Sequence, residues 1–373
     1  MFVPFYVALA VATLFYILLP VIGGYIARNQ WRRFRERLLD LALSPRLHLG
    51  SWAAACESGQ LQGHYRFHGE IEAVEGEDKI WLHGRDLTAV VDLSSTWFHI
   101  LPDEGRGEAL EGRYALVERM RWQRVRVFPE SSRVFVGGRV RVEDGIPVFF
   151  NDAREPLIVV SYEGNEANLL SRLIAGGRVQ NEYWNPLSRA SLAFGMGTLG
   201  IFFAFVGSHL LPTILFLSLL VSLAPVLSLL PPGLLFFFLY RRFWRKALDE
   251  RVLRDLCRLP LRFSRAADGS PAPQAGDAPL PEGGFYRVRR GDIPAGDIAT
   301  FVPWAGDKGP WTIFTPESTD DPEIRRIAVA GDPIALARRS ERRALTATLL
   351  SGVFLVAAFM INLITAILLW RNT

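Results

Sequence analysis

Three stretches of this chain, Met1 to Ala27, Ser191 to Tyr240 and Ala344 to Trp370, contain no Asp, Glu, Lys or Arg, while the residues between them alternate polar and apolar. About 20 apolar residues at 1.5 Å rise cross a ~30 Å hydrocarbon core, so each stretch is read as membrane helix. The first gives one span, 2–27, too long for a cleaved secretory signal and without its basic leading segment. The second is too long for one helix and breaks near His209 to Thr213, which predicts a hairpin of two spans, 191–211 and 214–240. Pro225, Pro231 and Pro232 kink the latter or end it early, since proline lacks a donor and clashes with the preceding turn. The fourth span is 344–370.

Outside the spans the period changes. Residues 28–60 read as a juxtamembrane helix rich in Arg, Leu and Glu, and 241–265 as a second one. From His64 the pattern becomes alternating, most clearly in Arg133 to Val142, where Val134, Val136, Val140 and Val142 share one face and Gly138 interrupts them. Glu143-Asp144-Gly145 supplies a hairpin turn, Ile146 to Phe150 returns, and Pro156 to Val160 is a further short strand. Short strands with glycine at corners predict a small β domain of OB-like, barrel or sandwich form over 61–185. Residues 266–283, rich in Pro, Ala and Gly, read as a flexible loop, and 284–343 as a smaller β domain. The expected fold class is a membrane α+β protein with four transmembrane helices and two cytosolic β domains.

Charge sets the orientation. Of the 42 Lys and Arg, all but Arg371 lie in the two segments between spans, which carry 22 basic with 23 acidic residues and 19 basic with 15 acidic. Basic clusters flank the spans on one side only: Arg28, Arg32 and Arg33 with Trp31, then Arg241, Arg242, Arg245 and Lys246 with Trp244, then Arg342 and Arg343. These are the expected membrane-interface anchors. By the positive-inside rule both soluble segments are cytoplasmic, both termini lie outside, and the location is the cell membrane. Neither segment has the basic excess of a nucleic-acid-binding domain, and two cysteines, Cys56 and Cys257, exclude a disulfide framework or a Cys-rich zinc module.

The chain also resembles itself. A shift of 154 residues sets Leu170-Ser-Arg172-Leu173 on Ile324-Arg-Arg326-Ile327 and Arg189-Ala190 on Arg343-Ala344. A different offset sets Arg28, Trp31, Arg32 and Arg33 on Arg241, Trp244, Arg245 and Lys246. The reading is a tandem duplication of a span, a cytosolic domain and a span.

Val134-Phe135-Val136-Gly137-Gly138-Arg139-Val140, a turn, a second strand, the Pro-Leu-Ile-Val-Val run and the helix of Glu163 to Leu173 before a span together resemble a known domain. Over about 124–200 the chain is similar to the beside-a-membrane domain of membrane-anchored ubiquitin ligases of the MULAN or GIDE type and their bacterial relatives. The resemblance implies an OB-like β fold held against the bilayer and used to recognise a partner. It does not imply ligase activity, because the RING needs Cys and His ligands that this chain lacks.

Candidate chemistry is sparse. Gly195-Met-Gly197-Thr-Leu-Gly200 spells a dinucleotide fingerprint, but inside a charge-free span it reads as helix packing, with Ala193, Gly197 and Ala204 as the small contact residues. His64 and His68 share a strand face without a third ligand, and His83 and His99 stand apart, so no metal site is expected. Trp122, Arg124 and Arg126 are expected on one strand face beside headgroups. His209 is the sole ionisable group in the spans, which disfavours a coupled transporter, while the prolines and Asn362 leave room for a pore. No catalytic, cofactor or metal residues are assigned. The expectation is a multi-pass protein whose membrane-proximal β domains act as a scaffold or partner-recognition module. The expected partners are the bilayer together with another protein or further copies of the chain. The alternative is a transporter or channel subunit, and a site assembled from His64, His68 or His83 with carboxylates is a third reading.

Overall fold

The computed structural model describes residues 3–41, 44, 46–57, 63–94, 96–101, 117–125, 133–152, 155–163, 169–179, 186–227, 229–263, 277–279, 285–291, 298–301, 310–316 and 326–372. The helices are α1 Val3–Leu41, with a π turn at Leu14–Leu18, α2 Leu49–Glu57, α3 Leu169–Val179, α4 Pro186–Val206, α5 Pro212–Ser222, α6 Ala224–Leu227, α7 Leu234–Phe263 and α8 Pro333–Asn372. The strands are β1 Gly63–Glu75, β2 Lys79–His83, β3 Thr88–Asp92, β4 Trp97–Leu101, β5 Glu118–Arg121, β6 Arg133–Glu143, β7 Ile146–Phe150 and β8 Ile158–Tyr162. They continue as β9 Asp277–Pro279, β10 Phe285–Gly291, β11 Ile298–Phe301, β12 Trp311–Pro316 and β13 Arg326–Ala330. The protein is thus α+β, divided into two compact units, one of 1–32, 180–251 and 339–373 and one of 33–179 and 252–338.

The first unit is helical. Among the described residues three helices are long and apolar enough to cross a membrane: Val3–Leu41, Leu187–Val206 and Pro333–Arg371. In the stretch 214–240, expected to be kinked or ended early by its prolines, the helix is interrupted between Leu227 and Leu234, around Pro231 and Pro232. The chain does not reverse there. Trp370 of α8 stacks on Phe216 (ring centroids 4.6 Å), Asn362 bonds inside the interruption, Phe354 packs on Phe236 and Phe243, and Thr348 receives a hydrogen bond from Arg251. Positions fall along α8 as they rise along the other segment, which makes the two antiparallel from end to end. The expected juxtamembrane helix 28–60 is also redrawn: its first part continues α1 to Leu41, and α2 is separate.

In the second unit β1 to β8 form one sheet of order β1-β2-β3-β7-β6-β8-β4-β5, with β1 also paired to β6. That extra pairing closes β1, β2, β3, β7 and β6 into a ring, antiparallel throughout except for β3 beside β7. The ring exists because β6 is long and alternating. Val134, Val136 and Val140 point inward to Phe67, Ile80, Leu82, Val91 and Phe149, a core in which each fully buried side chain is worth roughly 1.5–3 kcal/mol. Gly138 interrupts the valine row because Leu157 fills the space, and a Cβ there would stand 2.7 Å from Leu157 Cδ1. The turn uses positive φ at Asp144 (51°) and Gly145 (80°), the backbone that a tight hairpin requires. From β6 the sheet continues through β8, parallel β4 and antiparallel β5. Trp122 to Arg124 departs from its expected strand: it is a 3₁₀ turn, and Trp122 is buried with its indole N–H on the Glu77 carbonyl, 2.8 Å away. Arg126 lies outside the described residues.

The smaller sheet has the order β11-β13-β12-β10-β9. Of the expected 266–283 loop only 277–279 is described, and it is the edge strand β9. In chain order β10, β11, β12 and β13 repeat the pairings of β1, β4, β6 and β8: first with third antiparallel, third with fourth antiparallel, second with fourth parallel. The 154-residue shift fails in this region, because it lays Arg172 and Leu173 of α3 on Arg326 and Ile327 of β13, and a helix has no counterpart in a strand. Matching the pairings sets β8 against β13 instead.

Candidate functional site

The exit residues divide by burial. Arg32, Arg33, Arg241, Arg242, Lys246, Arg342 and Arg343 are exposed, and Trp244 and Arg245 are half-buried, with the Arg251 guanidinium 5.8 Å from the Trp244 ring. Trp31 is 8% exposed, so it packs inside the protein instead of presenting its ring as an interfacial anchor.

Two places in the helical unit show how the freed backbone of an irregular helix is satisfied without water. At the interruption, Asn362 of α8 donates to the carbonyls of Leu227 and Leu230 and accepts from Gly233 N–H at 2.9 Å. Gly233 is required there, since a Cβ would meet the Asn362 amide and the Ala358 carbonyl. In the π turn of α1, Ser191 of α4 donates to the Phe15 carbonyl at 2.5 Å, and Gly195 lets Phe15 and Tyr16 approach to 2.7 Å from where its Cβ would be. Tyr16 then reaches the Ser222 carbonyl at 3.0 Å. The close contact on α4 is therefore made by Ser188, Ser191, Gly195 and Leu199, whereas Ala193, Gly197 and Ala204, expected to make it, are exposed. Gly195, Gly197 and Gly200 all lie within this helix, the wrong setting for a dinucleotide site.

An ionic cluster ties three helices in the second unit. Asp255 of α7 accepts from Arg178 of α3 at 2.5 Å and from Arg254 at 2.9 Å, with Arg35 of α1 4.0 Å away. Burial pushes the Asp255 carboxyl up, but the hydrogen bonds and charges of Arg178 and Arg254 outweigh it and hold the group below the usual range. Burial first, and then Arg178, lowers the Arg35 guanidinium to about 10. A separate buried carboxylate, Glu250 in the helical unit, is 1% exposed and 3.9 Å from Arg343. No spacing rule flags these groups, because apart from neighbouring Arg254 their partners are distant in sequence.

The histidines do not converge. His64 faces Glu155 at 2.7 Å, His68 meets the Tyr162 hydroxyl at 3.1 Å, and His83 meets Thr88 at 3.3 Å. His99 is buried against Phe34 of α1 (centroids 4.4 Å), and burial, with Arg119 beside it, lowers its pKa to about 3. Among the described residues no group of three or more His, Cys, Asp or Glu is placed to hold a metal. Cys56 and Cys257 are both free, and burial raises the Cys257 thiol to about 11.

No known protein family matches the chain, and no curated protein or solved structure matches it at a significant level.

Proposed function

We propose that the protein is a multi-pass integral membrane scaffold that holds two β domains at the cytoplasmic surface of the cell membrane, where they recognise another protein or further copies of the chain. The observation that carries this reading is helix continuity: α1, α7 and α8 each belong in one part to the helical unit and in the other to the unit that holds the sheets. The antiparallel packing of 212–251 on α8 supports a fourth span made of two helical pieces. The closed five-strand ring, with its single parallel pair, supports an OB-like main domain, in keeping with the beside-a-membrane resemblance. The shared pairing order of the two sheets supports a duplicated ancestor, with β10, β11, β12 and β13 standing as counterparts of β1, β4, β6 and β8 among the described residues.

Crosslinking in native membranes, followed by purification of the full chain and mass spectrometry, tests the scaffold. A partner recovered in near-equal amount, or a defined self-assembly, is expected; recovery of the monomer alone counts against it. Orientation is tested separately by a reporter active only in the cytoplasm, which should work within 266–283 and be silent after Thr373.

One observation favours a second reading, a transporter or channel subunit. At the offset that matches Arg28 with Arg241, the π turn of α1 falls on 227–231, so both exit helices are irregular at corresponding positions. Paired interruptions of this kind mark binding sites in transporters. Solute or ion flux through reconstituted vesicles would support that reading, and tight vesicles would remove it.

A further inference from the structure

Three guanidinium groups of the second unit share one carboxylate. Asp255 uses both of its oxygens at close range: Oδ2 accepts from Arg178 Nε at 2.5 Å, and Oδ1 accepts from Arg254 Nη2 at 2.9 Å and Nε at 3.1 Å. Arg35 is left 4.0 Å from Oδ2, beyond hydrogen-bonding distance, and its Nη1 is buried without a hydrogen-bond partner. Among the described residues Asp255 is the one carboxylate within ion-pair reach of Arg35 and of Arg178, so two positive charges stay uncompensated at close range. Two of the arginines have a structural use. Arg178 lies in the last turn of α3, where a cation meets the negative end of the helix, and Arg254 is held by its chain neighbour Asp255. Arg35 has neither. Burial and the Arg178 charge work against its charged form, and Asp255 and the weaker influence of Glu36 do not make up the difference, yet at about 10 it is still a cation at neutral pH. A buried charged donor without an acceptor is uncommon in folded proteins, and a bound ion is one of its recognised causes. The cluster is open to such an ion, because the side chains of Arg35, Arg178 and Arg254 remain 13%, 19% and 17% exposed.

We propose that Arg35, Arg178 and Arg254 form a binding site for a phosphate monoester group. Such a group carries about −1.5 to −2 charges at neutral pH, which matches the two uncompensated positive charges, and its oxygens accept from several guanidinium groups at once. A singly charged anion, such as chloride or a carboxylate, leaves the cluster half compensated. The same group is presented by soluble phosphorylated molecules and by the headgroup of phosphatidic acid. All four residues belong to the second unit, so the inference stands apart from the scaffold reading and from the placement of the membrane.

The experiment uses the full chain purified in a non-ionic detergent. Binding of radiolabelled inorganic phosphate is measured by equilibrium dialysis at neutral pH, with the ionic strength held constant by chloride. Saturable binding in a one-to-one ratio is expected, with acetate a much weaker competitor. Arg35→Gln should weaken binding by roughly 10- to 100-fold, the loss of one charge-assisted hydrogen-bonding group. Asp255→Asn should tighten it, because the carboxylate that competes for the same donors is gone, whereas a cluster with a purely structural role gains nothing from that change. Glycerol phosphate and a short-chain phosphatidic acid then compete as the same monoester without and with acyl chains. Equal competition assigns the site to soluble phosphorylated molecules and stronger competition by the lipid assigns it to a headgroup; both support the shared chemistry. Absence of saturable phosphate binding to the parent chain, or displacement by acetate as strong as by phosphate, overturns the proposal without recourse to any variant. So does unchanged affinity in Arg35→Gln, or weaker binding in an Asp255→Asn chain that gel filtration shows to be folded.

Discussion

Replacing Asn362 with Leu isolates what its amide does inside an apolar environment. The side chain is 4% exposed and serves three backbone groups: the carbonyls of Leu227 and Leu230, which also accept from the Leu230 and Leu234 N–H groups at 3.3 and 3.1 Å, and the N–H of Gly233. Leu matches Asn in size but offers no hydrogen bond, and hydrocarbon supplies no water in its place. Polar bonds between membrane helices are worth about 0.6 kcal/mol on average and up to about 1.7, so three together come to roughly 2–5 kcal/mol. Thr365→Ala on the same helix is the control. Its hydroxyl only adds a second bond to the Ile361 carbonyl, so the loss should stay below about 0.5 kcal/mol. Reversible unfolding of the purified protein in mixed micelles measures both. If Asn362→Leu stays within about 0.5 kcal/mol of the parent and of Thr365→Ala, the amide does not hold the interruption together, and the polar-satisfaction account of this span is wrong.

Three further outcomes are expected. Asp255→Asn removes the carboxylate shared by Arg178, Arg254 and Arg35 and leaves their charges crowded. The thermal midpoint in detergent should fall by an amount equivalent to about 3 kcal/mol, discounted from the cost of a fully buried pair because the carboxylate is 16% exposed. His99 is neutral in the fold down to about pH 3 but protonates near 6.5 when unfolded. Stability should therefore be insensitive to this group above 6.5 and fall as the pH drops below it, by up to roughly 1.4 kcal/mol per unit, a slope that His99→Phe should flatten in pH-dependent melting curves. Maleimide should modify exposed Cys56 in the native protein and reach buried Cys257 only after denaturation, as read by intact mass.

Period and charge were enough to locate the apolar helices and the main strands, because these depend on local pattern. The valine row of β6 and its Asp144-Gly145 turn could be read residue by residue, and Gly138 marked its own exception. What could not be read were effects of residues far apart in sequence. Trp122 looks like a strand residue until the Glu77 carbonyl 45 positions away receives its indole N–H. Trp31 looks like an interfacial ring, but tertiary packing buries it. Gly197 seemed the natural packing residue of its helix, yet the helix turns Gly195 toward Phe15, a choice of face that a run of apolar residues on every side does not specify. The ionic cluster on Asp255 joins helices that begin more than 60 residues apart in the chain, and Asn362 carried a signal only in being a lone amide in a span opposite a Pro-Pro-Gly run.

The interruption has a consequence for the order of assembly. The N–H of Gly233 finds an acceptor on a side chain 129 residues later in the chain, so this bond forms only once α8 is in place. The segment 212–251 therefore completes its form after the last helix, and a chain cut short before α8 is expected to leave that segment exposed to proteolysis.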